Sequence, residues 1–97
     1  MIECKICKLI KSNVYKYVDN NDIVISDCPD CQCLIGMKKV HSNYPTKEEI
    51  QDIINLGSKI ALTKYGKNKW YLDMRKSEAP DHYHCHFRKI EENNGGI

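Results

Sequence analysis

The sequence predicts an α+β fold: an antiparallel β-sheet of about five strands with one long helix packed on it. Three observations carry this expectation. Short β-prone runs bounded by turn residues fill the first part of the chain, one capped stretch of helical periodicity follows, and two further β-prone runs come last. The final run holds three of the four histidines. A chain of 97 residues with 41% hydrophobic content has enough apolar surface for one modest core. We therefore read residues 1–90 as a single domain and 91–97, Glu-Glu-Asn-Asn-Gly-Gly-Ile, as a flexible tail without periodicity.

The elements follow from local chemistry. Val14 to Val18 and Ile23 to Ser26 are β-prone runs separated by Asp19-Asn20-Asn21-Asp22, a strong turn sequence, so they predict a hairpin. Leu34 to Met37 predicts a third strand. After Tyr44-Pro45, Thr46-Lys47-Glu48-Glu49 is a capping box. Its Thr46 hydroxyl is placed for the Glu49 amide, and the Glu49 carboxylate reaches back to the Thr46 amide. Ile50, Ile53, Ile54, Gly57, Ile60, Ala61 and Tyr65 then recur at helical spacing and form one apolar stripe, ended by Gly66. Trp70 to Met74 predicts a strand, and Arg75 to Pro80 a polar loop.

Asp81-His82-Tyr83-His84-Cys85-His86-Phe87 predicts the last strand. Side chains alternate across a strand, so His82, His84 and His86 are expected on one face and Tyr83, Cys85 and Phe87 on the other. Three imidazoles in a row on a rigid element make a candidate site.

Composition narrows the partners. The net charge is +2, from 15 basic and 13 acidic residues, with no basic block that would call for nucleic acid. Small anionic ligands remain compatible. The segment Met1 to Lys8 is too charged for a signal peptide and no apolar run is long enough to span a bilayer, which predicts a cytoplasmic or otherwise intracellular protein. In a reducing compartment the six cysteines read as metal ligands or small core residues rather than disulfides.

Cys4-Lys5-Ile6-Cys7 has the spacing of a zinc knuckle, and Cys28-Pro29-Asp30-Cys31 is a second such pair. Two ligand sets are open. Cys4, Cys7, Cys28 and Cys31 would make a zinc ribbon, whereas Cys4, Cys7, His41 and His82 would tie the N-terminus to the segment before the helix and to the histidine strand. Spacing does not choose between them. A structural zinc would supply on the order of 10 kcal/mol of apparent folding free energy, comparable to the whole stability of a domain this size.

The chain resembles the histidine triad family of nucleotide hydrolases and transferases in the order of its motifs. Cys4-Lys5-Ile6-Cys7-Lys8-Leu9-Ile10 is similar to that family's N-terminal cysteine pair with a basic and two aliphatic residues. Tyr17-Val18-Asp19-Asn20 and Ile23-Val24-Ile25-Ser26-Asp27 resemble its first hairpin. Met37-Lys38-Lys39-Val40-His41 resembles the strand that ends in a lysine and a histidine before the helix. His82-x-His84-x-His86 then falls where the family has its triad.

The resemblance implies nucleotidyl transfer. His84 would attack the α-phosphorus of a phosphoramidate or dinucleoside polyphosphate, and water would then release the nucleoside monophosphate. A neutral imidazole is the nucleophilic form, and about three quarters of an unperturbed histidine is neutral at pH 7. His86 would hold a phosphate oxygen or protonate the leaving group. The resemblance further assigns Asp27 to ribose hydroxyls and zinc to Cys4, Cys7, His41 and His82, and it allows a homodimer. Where the family has a Gly-Gln-Ser-like phosphate loop this chain has Lys76-Ser77-Glu78-Ala79-Pro80-Asp81, in which Ser77 would take over part of the phosphate contact. Two other readings of the same residues are a zinc-stabilised binding module without catalysis and a ββα metal nuclease, whose pattern also starts with Asp-His.

Overall fold

A computed structural model of the protein describes residues 4–74 and 81–90. Five strands form one antiparallel sheet: β1 (Lys16–Asp19), β2 (Ile23–Asp27), β3 (Leu34–Lys38), β4 (Trp70–Asp73) and β5 (His84–Lys89). Their spatial order is β1-β2-β3-β5-β4. Helix α2 (Lys47–Tyr65) packs on one face, as the sequence predicts. A short helix, α1 (Lys5–Lys11), was not expected. No helix of the described residues is long and apolar enough to cross a membrane.

The β1–β2 turn forms where the Asp and Asn residues cluster. Asn20 Oδ1 accepts the amides of Asp22 (2.8 Å) and Ile23 (2.9 Å), so the side chain replaces backbone partners through the reversal. The capping box is complete: the Glu49 amide donates to Thr46 Oγ1 at 3.1 Å and the Thr46 amide to Glu49 Oε1 at 2.7 Å. Both carboxylate oxygens of Glu49 also lie 2.8 Å from Lys38 Nζ, which anchors the start of α2 to the end of β3. At the other end Gly66 adopts φ +103°, a conformation only glycine takes readily, and stops the helix.

The apolar stripe of α2 meets one face of the sheet through Ile53 and Ala61, packed with Ile23, Ile25, Leu34, Cys85 and Phe87, all fully buried. Gly57 is required by proximity: a Cβ there would overlap the Phe87 ring. The opposite face is also covered. Ile6 of α1 packs on Val24, Ile35 and Met37, which explains why β2 and β3 are buried on both sides and read as continuous apolar runs rather than alternating ones. Sequence signals for α1 exist in the spacing of Ile6, Leu9 and Ile10, but its N-cap, Cys4, makes no side-chain capping bond and offers none of the usual start chemistry.

The strand ladder begins at His84 rather than His82. Just before it, the Tyr83 amide donates to the Ser42 carbonyl and the Lys38 amide to the Tyr83 carbonyl, so the pairing with β3 continues for one residue while His82 turns away. His82 therefore stands just before the strand, yet its ring meets Cys4 and Cys7 on the α1 side, so the expected alternation with Tyr83, Cys85 and Phe87, which pack toward α2, is kept. His84 and His86 stand on the α1 side, and His82 sits on the turn that leads into β5. The tail 91–97 lies outside the described residues.

Candidate functional site

The Tyr83–Ser42 backbone bond holds the segment after β3 against the segment before β5. It brings His41 and His82 together with ring centroids 5.1 Å apart and nearly perpendicular planes. Helix α1 supplies the other side. Cys4 Sγ and Cys7 Sγ each lie 3.5 Å from His82 Nδ1, and Cys7 Sγ lies 3.4 Å from His41 Nδ1. All four ligand atoms fall within 4.8 Å of one another.

These distances suit a tetrahedral ion. Zinc with sulfur at about 2.3 Å and nitrogen at about 2.0 Å sets a sulfur–nitrogen edge of about 3.5 Å, close to what the side chains show. The donor chemistry agrees. His82 is fully buried and its Nε2 lies 2.6 Å from the Lys38 carbonyl. A carbonyl only accepts, so Nε2 carries the hydrogen and the Nδ1 lone pair faces the two sulfurs, a common outer support for a metal-bound histidine. Burial pushes the His82 pKa down, which keeps the ring neutral as a ligand must be. Burial and the neighbouring Cys4 push the Cys7 thiol up, so two adjacent thiolates need a cation between them.

The other cysteine pair does not join this group. Cys28 and Cys31 gather instead with His86. The zinc-ribbon set of four cysteines is thus not assembled, while Cys4, Cys7, His41 and His82 are brought together and could hold a metal ion.

On the α1 side of the sheet lies a groove of about 410 Å³. His84 and His86 of β5 line it with Ile6 and Leu9 of α1 and Ile35 of β3, and Lys5, Lys8 and Asp30 also border it. The His84 ring is buried, with Nδ1 2.8 Å from the His82 carbonyl. As for His82, an accepting carbonyl fixes the tautomer: Nδ1 carries the hydrogen, leaving Nε2 with a lone pair. His86 packs edge-on to His84 with ring centroids 5.7 Å apart. One residue, His82, thus faces the metal group with its ring and holds His84 with its backbone. Comparison with protein-family models, with curated proteins and with solved structures finds no match.

Asp27 is placed on the other face of the sheet. Its carboxylate accepts from the Tyr17 hydroxyl at 3.2 and 3.1 Å and lies 3.6 Å from Lys64 of α2, apart from the groove that holds His84. Burial and this carboxylate push the Tyr17 phenol up. Ser77 lies outside the described residues. The groove residues of α1 had no role in the sequence reading, because Leu9 and Ile10 were read as motif positions and not as one face of a helix. Arg88, which follows Phe87, forms a 2.6 Å ion pair with the buried Asp73.

Proposed function

We propose that this chain is a zinc-stabilised nucleotide hydrolase or transferase of the histidine triad type, with a nucleotide as its small-molecule partner. The observation that carries the reading is the state of His84. Its Nδ1 is tied to the His82 carbonyl, which leaves Nε2 as the nucleophile of a histidine that lines the groove. In this reading Nε2 attacks the α-phosphorus, the phosphorus–nitrogen or phosphorus–oxygen bond to the leaving group breaks, and water later cleaves the phosphorus–histidine bond to give the monophosphate.

Phosphoryl transfer depends mainly on positioning and charge stabilisation. His86, edge-on to His84, suits a proton donor to the leaving group or a hydrogen bond to a phosphate oxygen. Lys5 and Lys8 place positive charge beside the groove, and Ile6, Leu9 and Ile35 offer an apolar wall for a base. The group Cys4, Cys7, His41 and His82 suits zinc in a closed four-ligand site, the structural kind, without an open position for substrate. Zinc there would hold α1 against the turn that carries His82 and His84.

A second reading, a zinc-stabilised binding module without catalysis, draws on Asp30, an acidic residue among those lining the groove, whose charge opposes an anionic substrate. Turnover separates the two. Zinc-loaded protein incubated with adenosine 5′-phosphoramidate is expected to release AMP, detected by ion-exchange chromatography. Nucleotide binding with no AMP would sink the hydrolase reading and leave the binding module.

A further inference from the structure

We propose that Cys28, Cys31 and His86 form a second metal site, for a thiophilic divalent cation such as zinc, with a fourth coordination position open to the groove. The three ligand atoms, two sulfurs and an imidazole nitrogen, lie within 4.8 Å of one another and come from two separate parts of the fold. Two thiolates and an imidazole are the donor set that selects zinc and its chemical neighbours over calcium or magnesium.

The backbone around the pair supports the same assignment. Cys28-Pro29-Asp30-Cys31 forms the connection between β2 and β3, and the loop is closed at its base: the Cys28 amide donates to the Cys33 carbonyl and the Gln32 amide to the Cys28 carbonyl, both at 2.7 Å. Gln32 adopts φ +61°, a left-handed conformation uncommon for a residue with a side chain. With the chain wound this way, Cys31 comes back beside Cys28, and their sulfurs lie within 4.8 Å of each other and of a His86 ring nitrogen. Holding two cysteines side by side through a closed loop with a side-chain-bearing residue in the left-handed region carries a backbone cost that a ligand role accounts for.

Position sets the chemistry. Cys28 and His86 line the groove, so an ion bound between them borders the space beside His84. Three protein ligands leave tetrahedral zinc one position for water or for an anionic oxygen of a groove ligand. The site stands whether or not the groove carries out nucleotidyl transfer; with metal bound, His86 would offer a phosphate oxygen a hydrogen bond from its other nitrogen, and the proton-donor role belongs to protein in which this site is empty. It is distinct from the group at Cys4, Cys7, His41 and His82, which has four ligands of its own.

The test is a cobalt titration of the full chain under a phosphine reductant, following the sulfur-to-cobalt charge-transfer bands, with metal counted by plasma emission. The unsubstituted protein is expected to bind two equivalents. Cys28→Ser/Cys31→Ser should bind one and keep the spectrum of the remaining site, which also reports that the protein is folded. His86→Gln should weaken the second equivalent by at least about 10- to 100-fold, the loss that even substitutions of supporting residues cause. Saturation of the unsubstituted protein at one equivalent, or two equivalents retained in Cys28→Ser/Cys31→Ser, would overturn the proposal. Because the readout is metal stoichiometry, its failure leaves the AMP-release test of the hydrolase reading untouched.

Discussion

The Nε2 of His82 lies 2.6 Å from the carbonyl oxygen of Lys38, the last residue of β3. This bond turns the ring so that Nδ1 meets Cys4 and Cys7, while the backbone of the same residue holds His84. The metal group and the groove histidine are therefore joined through one residue, and the stability of one bears on the geometry of the other.

Zinc binding at Cys4, Cys7, His41 and His82 should appear as a metal-dependent melting temperature. Binding to the folded state alone contributes about 4 kcal/mol at a thousandfold excess over Kd, which in a domain this size shifts Tm by on the order of 10 °C or more. Chelation is expected to lower Tm by about that amount in Cys28→Ser/Cys31→Ser and by at least as much in the unsubstituted protein, which would also lose metal from the second site. His41→Ala should start low and respond weakly. Calorimetry with and without chelator checks this; a strong response in His41→Ala with none in the double variant would assign the stabilising metal to the other cysteine pair.

His86→Ala should slow AMP release by about 10²- to 10⁴-fold, the range for loss of a positioned proton donor. Its melting temperature under chelation should stay near that of the unsubstituted protein, since the residue is only partly buried and outside the core. Steady-state turnover measures the effect, and unchanged turnover would remove His86 from the reaction.

The sheet and the long helix were legible because each rests on local chemistry. Asn20 supplies its own turn bonds, Thr46 and Glu49 cap each other, and Gly66 ends the stripe. The helix α1 was not, since seven residues make a marginal helix whose stability comes from packing Ile6 on β2 and β3 and not from its own sequence. The metal candidates were readable as residue types, but the grouping was not: whether Cys7 meets His41 or Cys31 depends on strand order and on the Tyr83–Ser42 bond. The alternation of His82, His84 and His86 with Tyr83, Cys85 and Phe87 was readable, since the first set faces α1 and the second packs toward α2, but the start of the strand at His84 rather than His82 was not.

Gly57→Ala sets two effects in opposition. Helix propensity alone would favour alanine by roughly 1 kcal/mol. A methyl group at this position overlaps the fully buried Phe87 ring, and overpacking costs about 1–3 kcal/mol. The cost should win, because Phe87 is enclosed by the core and has little room to yield. Urea unfolding is expected to show net destabilisation; an increase in stability would mean that α2 and β5 can move apart at little cost.

Glu49 links the capping box to Lys38, and those bonds hold its carboxyl below its ordinary value of 4.5. A depressed carboxyl contributes stability above the unfolded-state pKa and loses it as pH falls through the folded-state value. Glu49→Gln keeps a side chain that can cap the helix but removes the charge facing Lys38. It should cost about 1 kcal/mol near neutral pH, and the difference from the unsubstituted protein should narrow on acidification below pH 4.5. Paired denaturation curves across pH test this; a difference that stays constant through the acid range would exclude the ion pair as its source.

The central claim is that His84 Nε2 is a nucleophile toward phosphorus, and intact-protein mass spectrometry tests it most directly. Zinc-loaded protein would be mixed with adenosine 5′-phosphoramidate, quenched rapidly under alkaline conditions that preserve phosphoramidate bonds, and compared with His84→Ala. The expected result is one added adenylyl group, mapped to His84 and missing from the variant. A metal-replete, folded protein that gains no adenylyl group and forms no AMP, or one that gains the group on a residue other than His84, would contradict the account.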